Sequence, residues 1–583
     1  MAKLISTYEA DDLGVLVKGE IKYIKQAMYR LRDLVPNENI LAEKGEKNDI
    51  IYFNCKQVVD EMDALGDGLI DMGLEDYHIA ICAENSVRYV IADMTISSGV
   101  GTVTPIDKDA PVELLQTLLS KADVNAVICS AYLLSKLEEV KKNCPELKVL
   151  ITIDKKVDGY AYYGDIVEKG YQLQKEGKGV YVQKEIDLDA PAKILFTSGT
   201  TGANKGVVLT NRNLGANMVN CCNVVKVPAG KDVKNISMSV LPMHHATEIN
   251  THIMARIIGA KLTCICKSMR DFLQDLKVFK PSVIVIVPMM ANMMYNGVWA
   301  HAKKIGKDKL LKKGIKLTNL LEKFGIDIKH KLFSDVHEAF GGQVNQIVVG
   351  GAALNPTVIK GFKDLGIRVS NGYGITECGP LISMNSETHL EYRSVGKPCP
   401  GLDVKLIDQD EDGVGELCVK GPNVAKGYYK DEIATKKVFL EDGFFNTGDL
   451  ATIDKKGRIF LTGRKKNVIV LENGKNIYPE EVETEIENNM SYASDVVVYP
   501  APIEINGKEK EVLCAGLYIE DESIRNNVDK IKQDINLINQ KLVAYKRVSM
   551  INLTETPYVR TATRKIKRDT VMNLHNSEKI IKL

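Results

Sequence analysis

The segment from Leu195 to Leu209, LFTSGTTGANKGVVL, constrains this chain more than any other. Apolar runs typical of two strands flank a turn of glycine, threonine and serine that ends in a lysine. Glycines leave backbone N–H groups open to an anion, while hydroxyls and an ammonium group add donors and positive charge. The segment therefore predicts a phosphate-binding loop with the candidate residues Thr197, Ser198, Gly199, Thr200, Thr201, Gly202 and Lys205.

The spacing of this loop differs from that of the commonest nucleotide-binding loop. A Walker A loop has four residues between its glycines, then a lysine, a serine or threonine, and a helix. Here Gly206 follows Lys205, and the next residues, VVL, predict a strand. Composition alone leaves two interpretations open, a different nucleotide-binding device or a plain hairpin turn.

The order TSGTTGxxKG resembles the signature of the adenylate-forming superfamily, which includes acyl-CoA synthetases, firefly-type luciferases and the adenylation domains of peptide synthetases. The resemblance covers about residues 40–570, with at least six motifs in the expected order. A lysine-rich insertion before a KLF…GG…GGA segment is similar to the bacterial long-chain fatty acid–CoA ligases in particular.

Two later motifs imply where the nucleotide and its metal bind. In VNQIVVGGAALNPTV, a strand ends in the small residues Gly350, Gly351 and Ala352, which let a flat base approach the backbone. In IRVSNGYGITECGP, the resemblance implies that Tyr373 stacks on adenine, Thr376 contacts the α-phosphate and Glu377 binds Mg²⁺, which prefers oxygen ligands. It also implies Thr197 as a second metal ligand and nucleotide contacts from Asn371, Gly372 and Gly374.

Single residues in four other motifs complete the implied site. His245, in SMSVLPMHHATEIN, lies beside the substrate carboxylate in similar proteins. Asp449 is expected to accept the ribose hydroxyls, and Arg464 to reach the ribose or a phosphate as a fixed donor fork. In the tail, VRTATRKIKRD aligns Lys565 with the adenylation lysine, although Arg564 replaces the usual glycine.

The pattern of helices and strands predicts an α/β protein. From Asp49 to Leu150, helical segments alternate with short apolar strands, as in layered α/β sheets with helices on both faces. The stretch from Tyr160 to Gly179 is polar and contains several glycines, so we expect a connection there. We expect residues 1–465 to form a large AMP- and acyl-binding domain and 466–583 a small, mobile α+β lid domain, with the hinge at Lys466 by resemblance.

Two further segments each permit two interpretations. The stretch from Ala300 to Lys331 predicts basic amphipathic helices, which form either a solvated face or a surface for anionic membranes. The methionines of the preceding segment either line a flexible acyl tunnel or belong to the core, namely Met289, Met290, Met293 and Met294.

Length, charge and cysteine usage set the remaining limits. A chain of 583 residues should hold two or more domains, and a net charge of +1 gives no argument for nucleic acid. The twelve cysteines fit neither a zinc pair nor a secreted disulfide framework, so a reducing cytoplasm is expected. No segment approaches the roughly 18 apolar residues of a membrane span, so membrane contact would be peripheral, at the inner face.

The resemblance implies an ATP- and Mg²⁺-dependent ligase that activates a medium- or long-chain fatty acid to acyl-AMP, releases pyrophosphate and forms a thioester with coenzyme A. Transfer to the pantetheine of an acyl carrier protein is the alternative reaction, and a non-catalytic nucleotide-binding regulator is the alternative class. A peptide-synthetase domain is less favoured, because the region after LPMHH lacks an aspartate for an amino group, although Glu248 lies there. Acyl chain length and oligomeric state stay open.

Overall fold

The structure is a computed structural model of the chain. It describes residues 21–45, 47, 49–198, 204–224, 235–259, 261–351, 354–385, 391–470, 476–490, 492–505, 508–560, 566–571 and 580–583.

The strands are distributed along the described chain from Asn39 to Lys582. Those of the first two thirds of the chain are β1 Asn39–Lys44, β2 Ile50–Asn54, β3 His78–Cys82, β4 Thr102–Pro105, β5 Ala126–Cys129, β6 Val149–Thr152, β7 Ala161–Tyr162, β8 Pro191–Ser198, β9 Asn204–Thr210, β10 Ser237–Ser239, β11 Thr263–Ile265, β12 Val283–Ile286, β13 Gln346–Val349, β14 Arg368–Gly374, β15 Leu381–Met384 and β16 Lys397–Pro398. Those that follow are β17 Asp403–Ile407, β18 Gly415–Lys420, β19 Gly427–Tyr428, β20 Phe445–Ile453, β21 Ile459–Arg464, β22 Ile469–Val470, β23 Asn476–Ile477, β24 Asp495–Ile505, β25 Lys508–Tyr518, β26 Val548–Thr554 and β27 Ile580–Lys582.

The α-helices lie between these strands. They are α1 Ile24–Leu34, α2 Cys55–Asp71, α3 Val87–Thr95, α4 Val112–Lys121, α5 Leu134–Lys141, α6 Tyr163–Lys175, α7 Asn211–Val224, α8 Met254–Ile258, α9 Phe272–Phe279, α10 Pro288–Lys304, α11 Asp308–Glu322, α12 Lys329–Leu332, α13 Ser334–Ala339, α14 Pro356–Asp364, α15 Glu432–Val438, α16 Pro479–Asn489, α17 Glu522–Arg525, α18 Val528–Asn539 and α19 Arg568–Val571. Within the described residues, no helix combines the length and the apolar character that a membrane span requires.

Two large sheets contain β1–β16 and β19, which confirms the α/β prediction. Their strand orders are β16-β15-β14-β13-β12-β10-β11-β1-β2 and β19-β9-β8-β4-β3-β5-β6-β7. Strands in the middle of both sheets run parallel. The antiparallel strands β2, β9, β15, β16 and β19 lie at or near the edges.

One hydrophobic core joins the two sheets through helices α2 and α3. Its members include Leu41 of β1, Leu65 of α2, Ile79 of β3 and Ile91 of α3. Helix α2 begins where Asn54 accepts a hydrogen bond from the backbone N–H of Gln57, whose side chain in turn accepts one from the backbone of Asn54. This capping box satisfies two N–H groups that a helix start leaves unpaired.

The prediction of a connection between Tyr160 and Gly179 is wrong, because helix α6 occupies most of it. The polar residues of this stretch cover one side of the helix, while Ile166 and Leu173 are buried. A Cβ added to Gly170 would lie 1.8 Å from the carbonyl oxygen of Ala64 in α2, and one added to Gly68 would lie 2.3 Å from that of Ile166. The glycines therefore permit close packing of two helices rather than a flexible loop.

Helices α10 and α11 contain the methionines and most of the lysine-rich segment. Met290 and Met294 of α10 are buried in the core, whereas Met289 and Met293 are exposed. The core interpretation therefore holds for two of the four methionines.

Contacts within the chain divide it into two compact units. The first contains Met1–Val404 and Val419–Phe445, and the second contains Lys405–Cys418 and Asn446–Leu583. In the second unit, strands β24–β27 form one sheet in that order, and α16 and α18 pack a separate core that includes Ile486 and Ile535. The predicted boundary at 465/466 and the hinge at Lys466 stay predictions.

Candidate active site

The strands on either side of the predicted phosphate loop form an antiparallel pair. Thr197 of β8 lies opposite Lys205 of β9, and Phe196 lies opposite Gly206. A side chain at Gly206 would meet Ile194, since an added Cβ would lie 2.9 Å from its Cγ2. Gly199, Thr200, Thr201 and Gly202 lie outside the described residues, as does the side chain of Ser198.

The two glycines after β13 lie beside the motif of β14, because these two strands are parallel neighbours in the larger sheet. Val349 pairs with Asn371, which places Gly350 and Gly351 beside the end of β14. Gly351 has φ +86° and open space around an added Cβ, so the backbone there is accessible and favours glycine. Ala352 lies outside the described residues.

The side chains of β14 fit a nucleobase. Tyr373 is almost fully buried, between Gly372 and Gly374. The amide oxygen of Asn371 is buried and makes no hydrogen bond with any described residue. Because a buried acceptor without a partner is unfavourable, this oxygen is suited to accept from the amino group of a base.

The turn that contains Thr376 and Glu377 is held by the segment from Asn423 to Tyr428. The backbone N–H of Ala425 donates to the carbonyl oxygen of Glu377 at 2.8 Å. The buried side-chain amide of Asn423 donates to the carbonyl oxygens of Cys378 and Leu381, at 2.7 and 2.8 Å. These bonds hold the backbone of the turn, so the Glu377 side chain extends from a rigid support.

Tyr428 connects the two candidate phosphate-binding elements. Its hydroxyl donates to Glu377 Oε1 at 2.9 Å, and the Nζ of Lys205 lies 4.8 Å from the centre of its ring. Burial and the neighbouring carboxylate of Glu377 raise the pKa of Tyr428, so the phenol keeps its proton and donates. Strand β19 places Tyr428 here by pairing with β9, with Tyr428 opposite Val207.

Sequence reasoning missed Tyr428. It lies in the motif GELCVKGPNVAKGYYK, but a tyrosine after a glycine does not by itself indicate contact with a lysine and a glutamate far away in the chain. The available signal was the pair Tyr428-Tyr429, a run of two aromatic residues in a polar segment.

The donor set around Glu377 fits Mg²⁺. Tyr428 uses one carboxylate oxygen, and the other makes no hydrogen bond to a described residue. In the described part of the chain, no group of three or more His, Cys, Asp or Glu side chains could hold a metal ion. Mg²⁺ commonly binds one or two protein carboxylates together with phosphate oxygens, so the half-buried carboxylate of Glu377 beside a phosphate loop is sufficient.

His244 and His245 form a close pair of neutral rings. Their centroids lie 4.2 Å apart, and His244 Nε2 is 4.0 Å from an oxygen of Asp107. Burial lowers the pKa of His244 to about 4, and burial together with His244 lowers that of His245 to about 3. Nε2 of both rings is buried without a hydrogen bond to the described residues, so His245 is available to a polar ligand.

Glu248 follows the histidine pair, and one of its carboxylate oxygens has a partner while the other is buried without a hydrogen bond to a described residue. It lies on a π-helical segment, Thr247–Ile253, is fully buried and contacts Nδ1 of His252 at 3.1 Å. Thr247, on the same segment, is the nearest neighbour of Gly350, at 3.9 Å from an added Cβ. The histidine segment and the glycines after β13 therefore lie side by side.

The second unit contains the remaining candidates. Asp449 and Arg464 face each other across β20 and β21, with Arg464 Nε 2.7 Å from Asp449 Oδ1. Lys466 lies in the short turn Lys465–Asn467 that follows β21. Lys565 lies outside the described residues, but the bridge between Arg560 and Ile566 and the ion pair of Arg560 with Asp495 define the positions that flank it.

Three comparisons show which known proteins resemble this chain. The family model for AMP-binding enzymes matches residues 38–429. A peroxisomal long-chain acyl-CoA synthetase 6 of Arabidopsis thaliana is 31% identical, covering 79% of this chain and 68% of its own length. A chloroplastic long-chain-fatty-acid–[acyl-carrier-protein] ligase of the same plant is 27% identical, with 91% and 82% covered. The crystal structure of an anthranilate CoA ligase with anthranoyl-AMP has a TM-score of 0.76 at 16% identity, covering 95% of this chain and 97% of that one.

Proposed function

The chain belongs to the AMP-binding enzyme family, and on that basis we propose that it is an AMP-forming acid–thiol ligase. It activates a medium- or long-chain fatty acid with ATP, forming acyl-AMP and releasing pyrophosphate, and then forms the thioester with coenzyme A. The names of these relatives specify long-chain acyl groups, and this chain carries a lysine-rich segment that is similar to that of long-chain fatty acid–CoA ligases.

The observation that carries the proposal is the arrangement of Lys205, Tyr428 and Glu377. The phosphate loop contributes a lysine, the opposite turn contributes a carboxylate, and Tyr428 contacts both. Two neighbouring groups of opposite charge suit a magnesium–triphosphate complex, because the lysine pairs with phosphate and the carboxylate with the metal. When bound, Mg²⁺ would neutralise negative charge on the phosphates.

Each remaining site residue has a proposed role that suits its chemistry. Tyr373 and the backbone at Gly350 and Gly351 contact adenine, and Asn371 accepts from its amino group. Thr376 donates to the α-phosphate. The residues proposed to hold phosphate are Thr197, Ser198, Gly199, Thr200, Thr201 and Gly202, and those proposed near the base are Ala352, Gly372 and Gly374. Asp449 is proposed at the ribose, Arg464 at the ribose or a phosphate, and Lys565 as the adenylation lysine.

The proposed chemistry requires no general base. A fatty acid is ionised at neutral pH, so its carboxylate attacks the α-phosphate directly once it is aligned. His245 is a neutral ring here, since its pKa lies at about 3. Its proposed role is to position the carboxylate as a polar neighbour, not to remove a proton.

Two alternatives differ in the acceptor or in the class of protein. Transfer to an acyl carrier protein uses the same pantetheine thiol as coenzyme A, and one relative is named for that reaction. A non-catalytic nucleotide-binding regulator would need the ATP site without turnover. A peptide-synthetase domain is less favoured than either, because the region after LPMHH lacks an aspartate and Glu248 contacts His252 through one of its oxygens.

A cytoplasmic location with peripheral contact at the inner membrane face belongs to the same proposal. Within the described residues none of the twelve cysteines forms a disulfide, and eleven of them are buried, which suits a reducing compartment. A long-chain fatty acid partitions into bilayers, so an enzyme that consumes it gains from contact with a membrane surface.

Acid-dependent exchange of radioactive pyrophosphate into ATP tests the reaction directly. We expect exchange with acids of medium or long chain and little with acetate, and then thioester formation when coenzyme A is added to the best acid. Preference for holo acyl carrier protein would support the alternative acceptor. Nucleotide binding without exchange for any acid would support the regulator and refute the ligase.

The two half-reactions can be separated at Lys565. We expect Lys565→Ala to abolish pyrophosphate release from acid and ATP, because the positive charge at the leaving phosphate is lost. The same variant should still convert preformed acyl-AMP and coenzyme A to thioester. Loss of both steps would contradict a role confined to adenylation.

A further inference from the structure

Helix α11 and the turn after it expose large apolar side chains. Leu310, Leu317 and Leu320 of α11 are 64%, 50% and 53% exposed, and Phe324 in the turn is 74% exposed. Ile326 beyond it is exposed as well. Single exposed apolar residues are ordinary, but several on one helix and its following turn are typical of a binding surface.

A neighbouring side of α11 packs against the protein. Thr318 is buried, and Gly314 lies against Phe333, whose ring is 3.2 Å from an added Cβ. Asn319 donates to Asp364 of α14 at 3.0 Å. These contacts pack the helix against the first unit, while its leucines remain exposed to solvent.

Lysines form a stripe beside the exposed leucines. Leu310, Leu317 and Leu320 are seven and three positions apart, so they share one side of the helix. The lysines follow the same periodicity on the adjacent side, at positions Lys309, Lys312, Lys316 and Lys323, with Lys313 between the leucines. We name these apolar and basic residues together the leucine–lysine ridge.

The charge of this region is opposite to that of the rest of the chain. Ten lysines and three acidic residues lie between Ala300 and Lys331, which gives the segment a charge of +7. Because the whole chain has a net charge of +1, all other residues together carry −6. Of the three acids, Glu322 contacts Lys329 at 2.8 Å, so it screens a buried lysine and not the ridge.

We infer that the leucine–lysine ridge docks the enzyme on an anionic lipid bilayer. The leucines and Phe324 enter the headgroup boundary, and the lysines pair with lipid phosphates, as in helices that lie in the plane of a membrane. A second copy of this chain is a poorer occupant, because two +7 segments would face each other. Nucleic acid would pair with the lysines but not with the leucines.

This inference deepens the proposed peripheral contact by assigning it to defined residues, and it rests on that proposal. It does not rest on ligase activity, since docking needs neither ATP nor acid. Docking at this surface would bring the enzyme to the phase in which a long-chain acid is dissolved.

Co-sedimentation of the full chain with vesicles tests the inference, in the absence of ATP, acid and coenzyme A. We expect the protein to bind vesicles of two parts phosphatidylcholine to one part phosphatidylglycerol at least about tenfold better than vesicles of phosphatidylcholine alone, since each lysine near an anionic surface adds about fivefold. Binding should weaken as salt shortens the screening length from about 10 Å to about 3 Å.

Two pairs of variants separate charge from apolar contact. K313E/K316E should lose at least about tenfold in binding to the anionic vesicles, whereas K436E/K437E on α15 makes the same change in net charge and should bind normally. L317S/L320S should also lose most of its binding, whereas I433S removes an exposed apolar residue of α15 and should not.

Ligase activity on a medium-chain acid that dissolves in water is measured for every variant in the absence of vesicles, so that a failure of docking and a failure of the proposed reaction are distinguished. Equal binding by wild type and both ridge variants would overturn the inference, as would absence of binding by wild type. The inference would also be overturned if the wild-type protein did not bind vesicles and the ridge variants differed from it in oligomeric state. That result would assign the ridge to contact between copies of the chain.

Discussion

Tyr428 contacts both charged groups of the candidate phosphate site, although Lys205 lies in one large sheet and Glu377 follows a strand of the other. Its ring is placed by strand β19, and its hydroxyl donates to Glu377. A carboxylate that accepts such a bond is held in one orientation, which is what a metal ligand needs. The adjacent Tyr429 has the same chemistry but donates to Asp123, at 2.7 Å.

These two tyrosines provide a matched test of the site. Tyr428→Phe keeps the ring beside Lys205 but removes the donor to Glu377, so we expect about a 10- to 100-fold loss of activity and a higher Mg²⁺ concentration for half-maximal rate. Tyr429→Phe should change neither. Magnesium titrations of pyrophosphate exchange measure both, and equal behaviour of the two variants would refute a positioning role for Tyr428.

The histidine pair makes a specific contribution to the pH dependence of stability. His244 and His245 have folded pKa values of about 4 and about 3, below the ordinary value of 6.5. As pH falls below 6.5, the unfolded chain binds protons that the folded chain does not, so stability decreases with decreasing pH until the folded pKa is reached. Asp107, Lys108 and Asp109 are the charged groups that act on the pair.

Each ring contributes about 2 kcal/mol, so we expect the wild-type protein to lose on the order of 3–4 kcal/mol more than a His244→Gln/His245→Gln variant between neutral pH and about pH 5. Urea unfolding at the two pH values measures the difference. The other titrating groups are common to both proteins, so their contributions cancel in the difference between the two free energies of unfolding. The same loss in both proteins would show that the rings titrate normally.

At the scale of elements, close packing of α2 and α6 depends on glycines. Gly68 of α2 and Gly170 of α6 each face a backbone carbonyl of the other helix. A methyl group at either position would overlap that carbonyl, so the two helices would have to separate. The glycine content that suggested a connection is thus a packing feature.

We expect Gly170→Ala to destabilise the first unit by about 1–3 kcal/mol, because the added methyl has no space. Gly297→Ala in α10 is the control, since nothing lies within 4 Å of an added Cβ there. That substitution should stabilise slightly, by about 0.5–1 kcal/mol, through helix propensity. Calorimetry measures both, and a neutral Gly170→Ala would contradict the close contact.

At the scale of the molecule, the two units have separate hydrophobic cores. Ile91 belongs to the core of the first unit, and Ile486 to that of the second. Chains built from units with their own cores commonly depart from a single two-state transition. The assignment of Lys405–Cys418 to the second unit shows that a unit need not be continuous in sequence.

We expect differential scanning calorimetry to resolve at least two transitions. Ile486→Ala should lower mainly one of them and Ile91→Ala mainly the other, each by an amount that corresponds to about 2–5 kcal/mol. If both variants shifted one common transition equally, the two cores would unfold as one cooperative unit, contrary to this prediction.

The sequence predicted helices and strands well where their formation depends only on residues a few positions apart. Strand β9 follows from the VVL run after Lys205, and helix α2 from its apolar period, since backbone preferences act over a few residues. The stretch of α6 was misread because glycine has two uses, and only the neighbouring helix decides between them. The same holds for Met289 and Met290, which are adjacent in sequence but differ in burial.

By itself, the sequence determined the α/β class, the order of the motifs and the chemical types available to bind a nucleotide, because these depend on residue identity and short spacing. The tertiary structure alone decided that Tyr428 joins Lys205 to Glu377, that Glu248 is buried against His252, and that the leucines of α11 face outward. Each of these depends on contacts between segments far apart in the chain, and such contacts follow from packing, which no local pattern encodes.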